Sequence, residues 1–122
     1  MKKILILGGG TAGTMMANKL FRALGRTEWE ITVVDQHKTH YYQPGFLFIP
    51  FGIYNKSDVV KPKGDFFPAG VKVIYQEADR IIGEENRVML RDGTTLQYDY
   101  LIIASGTETR PDETPGLLGE EW

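Results

Sequence analysis

Four consecutive apolar residues, Ile4-Leu5-Ile6-Leu7, stand near the start of the chain with no polar residue among them. An unbroken run of this kind fits a central strand of a parallel sheet, covered on both faces. Glycines follow at 8, 9, 10 and 13. Over residues 11–24 the apolar positions Ala12, Met15, Met16, Leu20, Phe21 and Leu24 recur at helical spacing, and Gly25 is the expected stop. Ile31-Thr32-Val33-Val34 reads as the next strand, ended by Asp35. The pattern predicts a βαβ unit whose strands lie parallel through a right-handed crossover.

The pattern then changes. Residues 41–54 hold six of the 14 aromatics, interrupted by Pro44, Gly45, Pro50 and Gly52. No regular strand or long helix survives two prolines and two glycines, so a packed loop with a short helical turn is expected. Ser57-Asp58-Val59-Val60 reads as one turn of helix and Lys61-Pro62-Lys63-Gly64 as a further loop. Alternation returns at 71–75, a strand. Residues 80–98 predict an antiparallel meander of three short strands, at 80–82, 87–90 and 95–98. Glu84-Glu85-Asn86 and the hairpin signal Asp92-Gly93 are its turns. Tyr100-Leu101-Ile102-Ile103-Ala104 is a second buried-strand run, stopped by Ser105-Gly106. From Pro111 to Trp122 no element is recognisable. The fold class expected is α/β: a Rossmann-like parallel sheet with an inserted antiparallel β-meander.

Composition narrows the function classes. With 122 residues, 42% hydrophobic and 25% charged, the chain is at most one ordinary globular domain. A net charge of -2 with no basic run argues against nucleic acid as a partner. The absence of cysteine excludes disulfides, thiolate metal sites and cysteine chemistry carried by these residues. No apolar stretch reaches membrane-helix length, and the four-residue run after Lys3 is too short for a signal peptide. A cytoplasmic chain is the expectation.

The candidate chemistry lies in the first turn. Gly8, Gly10 and Gly13 have the GxGxxG spacing. Gly8 permits a tight turn off the strand, Gly10 lets a diphosphate approach bare backbone, and Gly13 lets the helix pack on the sheet. The N–H groups opening the helix, around Thr11 and Ala12, then face the phosphates. Asp35, with Gln36 beside it, stands where a carboxylate accepts hydrogen bonds from an adenosine ribose and repels a 2′-phosphate. The plainer alternative is a flexible glycine turn with Asp35 as a strand-end cap. The strand, helix and acid-ended strand around the motif favour dinucleotide binding, without choosing between NAD and FAD.

A plain NAD domain would continue with further βα units. This chain inserts a meander and returns to a buried strand ending Ala104-Ser105-Gly106. That order resembles the N-terminal FAD segment of the two-dinucleotide-domain flavoproteins related to glutathione reductase. The resemblance implies FAD as cofactor, with Ala104, Ser105 and Gly106 running beside its adenosine diphosphate and the Ala78 backbone touching adenine. Disulfide reductases of that group carry a cysteine pair after the second strand. Here Tyr41-Tyr42-Gln43-Pro44-Gly45-Phe46 takes the place, which removes a thiol relay.

The Gln43-Pro44-Gly45 loop, the phrase 98–106 and Pro115-Gly116-Leu117 resemble sulfide:quinone oxidoreductases and flavocytochrome c sulfide dehydrogenases. The resemblance implies electron transfer from sulfide through FAD to quinone, with Gln43 and Pro44 near the isoalloxazine ring in an apolar, water-excluding loop. The alternative is that these aromatics fill a small core of their own. His37 and His40 have no evident partner and read as polar loop residues. The family's cysteines, quinone site and membrane-contacting part would lie beyond residue 122. Residues 1–122 are therefore expected to be part of a FAD-binding domain, an N-terminal fragment of a peripheral membrane enzyme. Alone, the fragment would bind an ADP-like group weakly, oxidise no sulfide, and present an open sheet edge for homodimer formation or domain swapping. Two other readings compete: the FAD domain of a type II NADH:quinone oxidoreductase, and a stand-alone nucleotide-sensing domain.

Overall fold

A computed structural model describes residues 1–119. Its centre is a four-stranded parallel sheet. Strand β1 (Lys2–Leu7) leads through helix α1 (Thr11–Ala23) to β2 (Trp29–Val34). Strands β3 (Thr39–Tyr41) and β4 (Val60–Pro62) form a separate antiparallel ribbon, and the single turn α2 (Lys56–Val59) precedes β4. Strand β5 (Lys72–Ile74) rejoins the parallel sheet. Strands β6 (Ala78–Ile82), β7 (Arg87–Leu90) and β8 (Thr95–Gln97) make the meander, and β9 (Tyr100–Ile103) completes the main sheet in the order β5-β2-β1-β9.

The unbroken apolar run of β1 has a direct packing cause. Ile4 and Ile6 face one way, into a core with Ala17, Ile31, Val33 and Val71, completed by Leu20 and Phe21 of α1. Leu5 and Leu7 face the other way, against Val34, Val88 and Leu90. The sheet is thus sandwiched between α1 and the meander, and all four β1 residues from Ile4 to Leu7 are at most 6% exposed. Leu5 and Leu7 also pair in register with Leu101 and Ile103 of β9. The meander turns are as expected: Asn86 adopts the left-handed conformation (φ 49°), and Gly93 (φ 87°) closes the Asp92-Gly93 hairpin.

Four expectations need correction. The aromatic loop is packed only around Gly45: Leu47 is 73% and Phe51 79% exposed, and Tyr41, Tyr42, Phe46 and Ile53 are exposed too. It is a 3-10 turn over Gln43–Phe48 with one ring contact of its own, Phe48 to Tyr54 at 5.4 Å. The interrupting prolines and glycines prevent a continuous apolar face, so no small core forms. Second, residues 61–64 are not simply loop, since Lys61 and Pro62 belong to β4. Third, α1 stops on Leu24 in an extended conformation, and Gly25 supplies no left-handed cap; its carbonyl instead accepts the N–H groups of Glu28 and Trp29. Fourth, the tail contains a 3-10 turn, Pro111–Glu113. The reading of Glu120-Glu121-Trp122 lies outside the described residues. Among those described, no helix is long and apolar enough to cross a membrane.

Candidate functional site

Strand β1 ends at a corner that glycine alone can form. Gly8 has φ +98°, and a Cβ there would overlap the carbonyl oxygen of Ala104. A Cβ on Gly13 would overlap the carbonyl oxygen of Gly8. Both positions are fixed by the fold itself: strand end, helix and β9 meet too closely for a methyl group.

Gly10 is different. It is the N-cap of α1 with φ -73°, a conformation any residue adopts, and a Cβ there would meet nothing within 4 Å. The fold does not require glycine at this place. The open space lies in front of the helix start, where no side chain caps the amides and no acid occupies the first turn. Thr11 and Ala12 are exposed beside it. The first amides of a helix lack intrahelical partners and carry its positive dipole end. Bare backbone, free donors and vacant space together suit an anionic diphosphate.

The Asp35 carboxylate sits beside this corner and is engaged on both oxygens. Oδ2 accepts the Gly9 N–H at 2.7 Å and the Lys63 ammonium at 2.7 Å. Oδ1 accepts the His37 N–H at 2.7 Å. Burial pushes the carboxyl up, but the Lys63 ammonium and the two amides outweigh it and hold Asp35 below the usual carboxylate range. This changes the sequence expectation. Asp35 is a strand-end cap and a buried ion-pair partner as well as a candidate ribose acceptor, for which Oδ1 retains a lone pair. Repulsion of a 2′-phosphate is weakened, because Lys63 neutralises the carboxylate.

A cleft of about 300 Å³ opens at the carboxyl ends of the strands, lined by Gly8, Asp35, Gln36, His37, Ala78 and Ser105 among others. This is the usual ligand position in an open parallel sheet. Ala104 stands behind it, its N–H bonded to the Leu7 carbonyl at 2.7 Å, and Gly106 (φ +73°) continues the chain past the rim. Sequence and structure thus bring Gly8, Asp35, Gln36, Ala78 and Ser105 to one cavity, with Gly10, Thr11, Ala12 and Gly13 at the adjacent helix start. Gln43 and Pro44 do not line it; they open the exposed 3-10 turn. The His40 ring meets the Phe66 ring at 4.8 Å in a tilted contact, and His37 reaches the cleft wall. Sequence reasoning missed Lys63, which is only 5% exposed. It also missed Glu77, which lines the cleft and pairs with Arg91. A buried acid at a strand end implies a cation nearby, but nothing local singles out Lys63 from Lys38 or Lys61. Among the described residues no cluster of His, Asp and Glu is able to hold a metal ion.

The chain is similar to known proteins over nearly its whole length. The family described as pyridine nucleotide-disulphide oxidoreductase matches residues 2–122. The mitochondrial sulfide:quinone oxidoreductase of Dictyostelium discoideum is 34% identical over 115 residues, covering 94% of this chain and 25% of that protein. A type II NADH:quinone oxidoreductase of Staphylococcus haemolyticus is 32% identical over 119 residues, covering 97% of this chain and 29% of that protein. The X-ray structure of the Aquifex aeolicus sulfide:quinone oxidoreductase covers 90% of this chain and 25% of its own, with a TM-score of 0.76 at 24% identity, a likeness of fold. The chain spans about a quarter of the length of the curated relatives it matches.

Proposed function

Since this chain belongs to the pyridine nucleotide-disulphide oxidoreductase family, we propose that its glycine corner holds the ADP half of FAD in a flavin-dependent oxidoreductase of the sulfide:quinone type. The observation that carries this reading is the contrast among the glycines. Gly8 and Gly13 are demanded by the fold, whereas nothing in the fold demands glycine at position 10, whose bare backbone at the helix start is open to a ligand from outside. In this reading the amides of Thr11, Ala12 and Gly13 face the diphosphate. Asp35 and Gln36 meet the ribose, and the backbone of Ala78 meets adenine. Ala104, Ser105 and Gly106 run along the far wall. Gln43 and Pro44, away from this cleft, are placed for the flavin end.

FAD, when bound, would supply two-electron redox chemistry; this chain supplies the grip on its ADP half. Sulfide as donor and quinone as acceptor follow the relatives' names. Quinones are held in membranes, so the working enzyme is a peripheral one. The 32% identity to a type II NADH:quinone oxidoreductase favours a second reading, in which NADH replaces sulfide as donor and the ADP grip is unchanged.

The test is FAD and ADP binding by calorimetry to the wild-type chain and to Gly10→Val. The proposal expects binding by the wild type and its loss in the variant, with the fold intact. Equal binding by both, or by neither, would contradict it.

A further inference from the structure

Lys63 is a buried cation that the proposed cofactor contacts leave unexplained. It is one of two buried polar side chains among the described residues, the other being Thr32. It opens a 3-10 turn, Lys63–Phe66, in the connection between β4 and β5. Its own N–H donates to the Lys38 carbonyl at 2.7 Å. Its side chain runs beneath the glycine corner: a Cβ on Gly9 would lie 3.3 Å from Lys63 Cδ and 3.2 Å from the Phe67 ring. The ammonium ends on Asp35 Oδ2, the same oxygen that accepts the Gly9 N–H. The far end of the turn is tied to α1, because Asn18 donates to the Phe66 carbonyl at 2.8 Å. Thr14 of α1 in turn donates from its hydroxyl to the Gly9 carbonyl at 3.1 Å. Three segments distant in sequence therefore meet on one carboxylate oxygen and one glycine.

We infer that Lys63 is a positioning residue of the dinucleotide site: it pins Asp35 by Oδ2, and through Asp35 fixes the Gly9 amide, so that the corner is shaped before a ligand arrives. The inference rests on the dinucleotide reading above. Lys63 does not line the cleft. Its effect passes through Asp35, whose Oδ1 is bonded to the His37 N–H at the exposed end. Removing one member of a buried ion pair strands the other charge, which is far more costly than removing both. Without Lys63, the Asp35 carboxylate keeps two amides but loses its cation. Its surroundings then hold the exposed His37 on its own strand end and Glu77 across the cleft, the latter already paired with Arg91. The Asp35 carboxyl is consequently protonated at higher pH in such a variant than in the wild type.

Calorimetric titration with ADP at several pH values between about 5 and 8, on the wild type, Lys63→Met, Lys63→Arg and the double variant Asp35→Asn/Lys63→Met, tests this. Hydrogen exchange of the Gly9 amide without ligand is the parallel readout. The wild type and Lys63→Arg are expected to bind with the same affinity and the same pH profile, the one set by the terminal phosphate of ADP. Lys63→Met binds about tenfold more weakly, loses more affinity as pH falls, and exchanges its Gly9 amide faster. Should Lys63→Met fail to fold, the double variant removes both charges; it is expected to fold, bind weakly and show no pH dependence beyond that of the wild type. Wild-type affinity, the wild-type pH profile and unchanged Gly9 exchange in Lys63→Met would overturn the role of Lys63, as would wild-type affinity in the double variant. Absence of ADP binding by the wild type would contradict the dinucleotide reading instead. Gly9 exchange, read without ligand, still judges the positioning role in that case.

Discussion

Gly13 rests against the carbonyl oxygen of Gly8, leaving no room for a methyl group between the first turn of α1 and the end of β1. The helix therefore approaches the sheet as closely as two backbones allow, and its N-terminus is aimed at the cleft. Gly13→Ala is expected to lower unfolding stability by more than about 3 kcal/mol, since the obstacle is backbone and cannot rotate away. Gly10→Ala, in open space at the N-cap, should cost no more than about 1 kcal/mol. Urea midpoints of the two variants measure the difference. Equal losses would mean that Gly10, too, serves the fold alone.

The Asp35 carboxyl is held below its ordinary value of 3.8 in the folded chain. A depressed acid contributes stability that is complete above the unfolded pKa and is lost as pH falls through the folded one. Asp35 thus adds an acid-sensitive component to stability below about pH 4. Asp35→Asn/Lys63→Met should show a shallower acid limb in urea midpoints measured against pH. An acid limb identical to the wild type's would place the acid sensitivity elsewhere.

Leu90 is 2% exposed and packs under Leu5 and Leu7 from the meander side. Leu90→Ala should cost about 2–5 kcal/mol, whereas Leu117→Ala, at a position 63% exposed, should cost under about 0.5 kcal/mol. The comparison tests whether the meander covers the second face of the parallel sheet as a structural layer.

Gly45 is the buried hinge of the aromatic loop. A Cβ there would lie 2.7 Å from both the Tyr42 ring and Val59 Cγ1. Gly45→Ala is expected to loosen residues 42–54 at a cost of about 1–3 kcal/mol. Limited proteolysis should then cut that loop faster than in the wild type, while Ile4-to-Leu7 amide exchange stays slow.

Much of this arrangement was legible along the chain, for local reasons. The run 4–7 has no polar member because both of its faces are covered. The spacing of Gly8, Gly10 and Gly13 reports a corner set by a few consecutive backbone units. Asp92-Gly93 carries its hairpin in its own torsion angles. What was hidden depends on partners far away in sequence. The 39–41 and 60–62 ribbon pairs Thr39 with Pro62, and neither strand is long enough to show a period. Lys63 looks like one more solvated lysine between Pro62 and Gly64 until Asp35 is brought beneath it. The aromatic cluster at 41–54 reads as a packed loop because apolar residues are usually buried. Its prolines and glycines instead leave those rings on the surface.

The most direct measurement of the central claim is the backbone amide spectrum of the chain during an ADP titration. A diphosphate seated at the corner should move the signals of Gly10, Thr11, Ala12 and Gly13 first and furthest, with Gln36, Ala78 and Ser105 following. Shifts absent from residues 10–13, or centred instead on the distant pocket around Phe21, Arg26 and Trp29, would contradict it.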